Sequence, residues 1–175
     1  HDVVGFAVRG DIHGRRSVIA DEPYSVEAAK QAGDAGRLAE WVTTFLASPG
    51  SDNEALAAEL VFGGASFLGP VRLPLDDLHP LAGPDDHDVF IPVPERQWGD
   101  EVDSMDESLA RGWEPPPLLV SYRGGAYMLE DGNHRHDALR RAGATHTWAI
   151  VVFWDESERS AFSSCLAPDA PSPPR

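Results

Sequence analysis

The chain is 175 residues long, carries a formal net charge of −15 and has Lys30 as its only lysine. Nucleic-acid binders draw most of their affinity from a basic face, so this balance disfavours DNA and leaves room for a small anion held by a local Arg and His cluster. Cys165 is the single cysteine, which excludes a disulfide framework within the chain. No apolar run reaches the roughly 20 residues of a membrane span, and the start, HDVVGFAVRGD, lacks the pattern of a signal peptide; the expectation is a cytoplasmic protein of one main domain with no membrane partner.

In chain order, a strand is expected at Val3–Val8. From Ser25, a candidate N-cap, apolar residues from Ala28 to Leu46 follow at helical spacing, interrupted by Gly33 and Gly36. Ser48-Pro49-Gly50 stops this helix. Asp52–Leu60 reads as a second helix closed by Gly63-Gly64. Residues 1–66 thus form a helical N-terminal extension. Val71–Leu78 reads as a strand, and His79–Asp100, rich in Pro, Asp and Gly, as an ordered loop of the length that often carries function. Val102–Gly112 is a short helix. Leu118–Tyr122 and Ala126–Glu130 make a hairpin across Arg123-Gly124-Gly125. Thr147–Trp154 is a strongly apolar strand placed in the sheet interior. Glu156–Leu166 is a last helix, and the tail 167–175 is expected to be mobile.

The stretch Leu129–Gly143, LEDGNHRHDALRRAG, carries the chemistry. An apolar strand runs into an Asp-Gly turn, then two basic side chains, then a helix closed by glycine. The first N–H groups of a helix have no partner within it, and the macrodipole adds positive partial charge there, which makes a seat for phosphate. Arg135 offers forked donors to phosphate; the alternative is a surface Arg in a first turn. His134 either donates to phosphate or pairs with a nearby carboxylate. Asn133 caps the helix or turns its N–H to the anion, two compatible roles, and Gly132 takes a conformation closed to other residues or lets phosphate approach the backbone. Asp131 either holds Mg²⁺ or takes a proton from an acceptor hydroxyl, or else bonds its own backbone in a turn. His136 lines the same seat or, like Asp137, the helix surface.

Two further patterns are weaker. Gly10-Asp11-Ile12-His13-Gly14 with Gly132-Asn133-His134 mimics pieces of a two-metal phosphatase, without the blocks that should lie between and after them. His79, His87 and the nearby Asp residues match no metal-site spacing and read as a solvated loop. Trp98, placed in the long loop, is a candidate wall for a nucleotide base; Trp113, Trp148 and Trp154 read as core.

Ser108–Gly143, SLARGWEPPPLLVSYRGGAYMLEDGNHRHDALRRAG, with VRLPLDDLHP upstream, resembles the ParB/sulfiredoxin superfamily over about half the chain. The resemblance implies an α/β (α+β) fold with a small mixed sheet over residues 67–166, whose Gly-x-x-Arg turn and helix hold nucleotide phosphates. Sulfiredoxins carry Cys where Asn133 stands here, and ParB proteins carry Gly-Glu-Arg-Arg and a following DNA module that has no room here. The free serine kinase branch carries Asp-Gly-His-His-Arg, matched at four of five positions by Asp131–Arg135. It implies ATP or another nucleotide as co-substrate, with Mg²⁺, phosphates on Gly132, Asn133, His134, Arg135 and His136, and Asp131 and His134 as catalytic residues. The expected function is a nucleotide-dependent phosphotransferase acting on a small-molecule acceptor. The alternatives are a non-catalytic nucleotide-binding module and a ParB-like DNA-associated NTPase or nuclease. That branch also uses a glutamate after its first strand, and Asp76, Asp77, Asp85, Asp86 and Glu95 remain open for that role.

Overall fold

A computed structural model describes residues 23–166. The strand expected at Val3–Val8, the Gly10–Gly14 motif and the tail 167–175 lie outside the described residues. Ser25 caps the first helix as expected, its Oγ accepting from the Ala28 N–H at 3.1 Å. That helix, α1 (Val26–Asp34), ends where the sequence predicts continuity. Gly36 takes φ 69°, the chain turns, and α2 (Leu38–Leu46) starts on a new axis. A third helix, α3 (Glu54–Phe62), follows.

Strand β1 (Ser66–Pro74) begins five residues before the expected Val71. Its pairing slips between Leu68 and Val71, so Gly69-Pro70, which reads as a breaker, is absorbed as a bulge on an edge strand. The segment expected to be a loop holds β2 (Leu78–Pro80), β3 (Ala82–Pro84), β4 (Ile91–Val93) and the first turns of α4 (Glu95–Ala110). Three-residue strands are too short to show alternation, and Gly99 hides the helix start. The hairpin β5 (Leu118–Arg123) and β6 (Ala126–Asp131) turns through Gly124 and Gly125, both at positive φ, which suits a tight two-residue turn. Then come α5 (Asn133–Arg141), β7 (His146–Phe153) and α6 (Glu156–Leu166).

The fold is α/β. The main sheet has the order β1-β7-β5-β6-β2, with β7 parallel to β5 and β2 parallel to β6; β3 and β4 form a separate parallel pair. Both sheet faces are covered, which explains the unbroken apolar run of β7. Ala149, Val151 and Phe153 face one core with Leu118, Val120, Leu129 and Phe162 of α6. Ile150 and Val152 face the other, packed on Val42, Leu46 and Leu60 from the N-terminal helices. Outside α5 lies α4, joined to it through Trp98, Val102 and Ala138.

The crossover from β6 to β7 passes through Gly132, which has φ 97°. A Cβ there would lie 2.6 Å from Leu118 Cδ2 and 3.0 Å from Arg135 Nη2. Gly132→Ala combines left-handed strain with overpacking and should cost on the order of 3 kcal/mol. Urea denaturation checks this; an unchanged midpoint would show that the turn relaxes freely.

Candidate functional site

The strand β6 ends at Asp131 and the helix α5 starts at Asn133, so the turn at Gly132 aims the helix N-terminus at the end of the sheet. No side chain caps this helix. The first bond along it runs from the His136 N–H to the Gly132 carbonyl at 2.9 Å, which leaves the N–H groups of Asn133, His134 and Arg135 without intrahelical partners. These three residues line a cavity of about 290 Å³ together with Ser51, Asn53, Glu101, Glu130 and Asp131.

The most consequential difference from the sequence reading concerns Arg135. It is 6% exposed and is neither a surface residue nor a free fork. Its Nη2 donates to Asp131 Oδ2 at 2.6 Å, and its Nη1 donates to the carbonyls of Pro116 at 2.8 Å and Pro117 at 3.0 Å. Its guanidinium carbon lies 5.3 Å over the Phe45 ring. Burial pushes the guanidinium pKa down and the Asp131 carboxylate pulls it back up; a guanidinium stays charged in either case.

Asp131 is equally committed. Its other oxygen accepts from Ser51 Oγ at 3.1 Å and Asn53 Nδ2 at 3.2 Å, so it is not bonded to its own turn. Both donors sit between α2 and α3, in a segment fixed by bonds from Ser51 and Asp52 N–H to the Ser48 carbonyl and from Asn53 N–H to the Leu46 carbonyl. Nothing in the sequence pairs this segment with a residue about 80 positions away, and Ser51 and Asn53 were not anticipated.

Asn133 does not cap the helix with its side chain. Its Oδ1 accepts from the N–H groups of Leu81 and Ala82 at 3.0 and 3.1 Å, which ties the β2–β3 segment to the helix start. His136 is buried and turned away from the cavity, with Nε2 3.1 Å from the Leu75 carbonyl. A carbonyl only accepts, so Nε2 carries the proton. Asp137, half-buried, accepts from Trp98 Nε1 at 2.8 Å. Trp98 belongs to α4 rather than to a loop, is 2% exposed, and stacks on His134 with ring centres 4.0 Å apart.

His134 is thus the one basic residue of the motif that lines the cavity without a hydrogen-bond partner for its Nε2. Its Nε2 lies 3.2 Å from Glu101 Oε2, close enough for ion pairing but outside hydrogen-bond alignment, and it has no other partner. Burial lowers its pKa, opposed by Glu101, Asp137 and Asp131. Glu101 is a third unanticipated residue; it follows the expected loop and shows no motif. The carboxylates left open by the sequence, Asp76, Asp77, Asp85, Asp86 and Glu95, are all exposed and do not line this cavity.

No family model matches the chain, and no curated protein matches it either. Solved structures do. A conserved hypothetical protein from Pyrococcus furiosus is 22% identical over 51% of this chain and 34% of its own, with a TM-score of 0.38. A free serine kinase in complex with AMP is 22% identical over 46% of this chain and 30% of its own, with a TM-score of 0.35. The C-terminally truncated chromosome-partitioning protein ParB from Caulobacter crescentus, complexed with CTP-gamma-S, is 23% identical over 59% of this chain and 56% of its own, with a TM-score of 0.36. The matched region therefore spans about a third of the first two proteins.

Two outcomes follow from the buried groups. Arg135→Ala strands the Asp131 charge and should cost about 3–5 kcal/mol, whereas an apolar pair in both positions should recover most of that loss; a double-mutant cycle by chemical denaturation measures both, and additive losses would contradict the pair. Burial also lowers the pKa of His136. With both folded histidines depressed, the unfolded chain binds more protons between the folded pKa values and about 6.5, so stability rises with pH across that window. The melting temperature should fall as pH drops below about 6.5, and less so in His136→Gln; equal slopes would remove His136 from the account.

Proposed function

We propose that the protein is a nucleotide-dependent phosphotransferase that moves a phosphoryl group to a small-molecule acceptor. The observation that carries this reading is the uncapped N-terminus of α5 opening, with His134, into a cavity bordered by Glu101, Glu130 and Asp131. A nucleotide is also what the free serine kinase and ParB structures hold. In this reading the N–H groups of Asn133, His134 and Arg135 take phosphate oxygens, aided by the helix dipole. His134 adds a donor as substrate charge raises its proton affinity. Gly132 lets phosphate approach the backbone. Arg135 and His136 act by holding that backbone in place, with their side chains directed into the protein.

Among the described residues no group of three or more metal-ligating side chains stands ready for a resident ion. Mg²⁺ needs only one or two carboxylates when phosphates supply the remaining ligands, and Asp131 fits that role. Asp131 uses three of about four acceptor positions on its bonds to Ser51, Asn53 and Arg135, which leaves one. The ion would supply neutralisation of charge on the transferring phosphoryl group.

The heavy engagement of Asp131 favours a second reading, a nucleotide-binding module without turnover. Calorimetric titration with Mg-ATP and Mg-CTP, followed by measurement of nucleoside diphosphate release with a panel of hydroxyl compounds, separates the two. Binding is expected in the wild type and weaker by about tenfold in His134→Ala, the loss of roughly one charge-assisted hydrogen bond. Absence of any nucleotide binding overturns both readings; binding without turnover across the panel leaves only the second.

A further inference from the structure

A second cavity, of about 330 Å³, adjoins the phosphate seat and shares Glu130 with it. It runs over the face of β5 and β6 that the N-terminal helices leave uncovered, where Ser121 and Met128 make the floor. Trp154 lines the cavity along with Glu59 of α3, and Phe90, at the approach to β4, lines it too. Three features mark it as a built site. Phe90 is 87% exposed, an aromatic ring held over a cavity with nothing packed on it. Trp154 has a buried indole N–H with no partner, and its ring packs so tightly on α3 that a Cβ at Gly63 would come 2.8 Å from its Cζ3. Glu130 is pinned by Ser121 Oγ, which donates to Oε1 at 2.6 Å, leaving Oε2 for a ligand.

Two carboxylates and two aromatic rings favour a cation over an anion. Arg123 reaches the cavity from the hairpin, with its guanidinium carbon 5.4 Å over the Trp154 ring, so this ring already attracts positive charge. Arg123 is exposed, and a ligand can displace an exposed side chain at little cost.

We propose that this groove binds an organic cation, an amine carried on an apolar or aromatic body, with the ammonium at Glu130 and Glu59 and the body between Phe90 and Trp154. Its identification as the acceptor's site rests on the phosphotransfer reading, because Glu130 borders both cavities; the binding itself does not.

The test uses the whole chain and two probes with one ring and opposite charge, phenethylamine and phenylacetate. Binding is read from the indole N–H signal of Trp154 in a proton–nitrogen correlation spectrum, assigned with Trp154→Phe, with Mg-ATP titrated into the same samples. Phenethylamine should shift that signal saturably and phenylacetate should not. Glu130→Gln, which keeps the bond from Ser121, should weaken phenethylamine by about tenfold, and Phe90→Ala should weaken it several-fold. Equal shifts from both probes, no shift from either, or unchanged affinity in Glu130→Gln overturns the site. Amine binding without nucleotide binding upholds the cation site and removes the phosphotransfer reading; nucleotide binding without amine binding does the reverse.

Discussion

The Asp131–Arg135 pair organises the rest of the site. Taking two charges out of water costs several kcal/mol per ion, and mutual attraction offsets this only when the remaining hydrogen-bonding positions are filled. Here partners come from two places besides the pair itself: the Pro116 and Pro117 carbonyls before β5, and Ser51 and Asn53 between α2 and α3. Each partner fixes a different element relative to the others. The pair is therefore weak evidence for net stability and strong evidence for a specified geometry, since removing one member leaves a buried charge without its complement.

That geometry accounts for the open helix end. An N-terminal turn would ordinarily satisfy its N–H groups with a Ser, Asp or Asn side chain, worth about 1 kcal/mol. Both polar side chains next to this turn are committed elsewhere: Asp131 to Arg135, Ser51 and Asn53, and Asn133 to the Leu81 and Ala82 N–H groups. The N–H groups left over have no capping atom, and the residues that carry them line a cavity. Around them the charge balance is unusual, because Arg135 is neutralised by its partner and Glu101 and Glu130 border the same space. Attraction for an anion then comes from the helix dipole and His134 alone. Such a seat favours a polyphosphate whose charge is already partly compensated by a divalent cation over a bare phosphate.

The turn and helix at Asp131–Gly143 were legible in the sequence because their signals are local: a glycine that needs positive φ, orphan donors at a helix start, and a terminating glycine. The interior position of β7 was legible too, since burial on both faces leaves a continuous apolar run. The role of Arg135 was not. A basic residue in a first turn looks like an anion contact until its own partner is known, and that partner depends on how β6 meets α5 in space. The segment 78–100 failed for another reason: its strands are three residues long and are held by pairing with β6 and by Asn133, neither of which leaves a periodic trace. The break between α1 and α2 shows how one glycine outweighs continuous helical spacing when the chain must turn to cover a sheet.

The N-terminal helices are part of the functional architecture. They cover the sheet through Val42, Leu46 and Leu60, yet their coverage stops short of the outer end of β5 and β6. The α2–α3 segment supplies the two neutral donors to Asp131, so the cavity at the start of α5 depends on residues outside the motif that marks it. Further along, α3 supplies Glu59 to the adjoining groove and packs Gly63 against the edge of Trp154. One layer of helices thus borders both cavities, and Glu130 stands where they meet. A small shift of α3 on the sheet would alter the adjoining groove first, through Glu59 and Gly63. It would reach the phosphate seat only through Ser51 and Asn53, because Arg135 is anchored from the opposite side by the Pro116 and Pro117 carbonyls. The cavity at the start of α5 is thus anchored from two sides, and the proposed phosphotransfer would draw on such positioning.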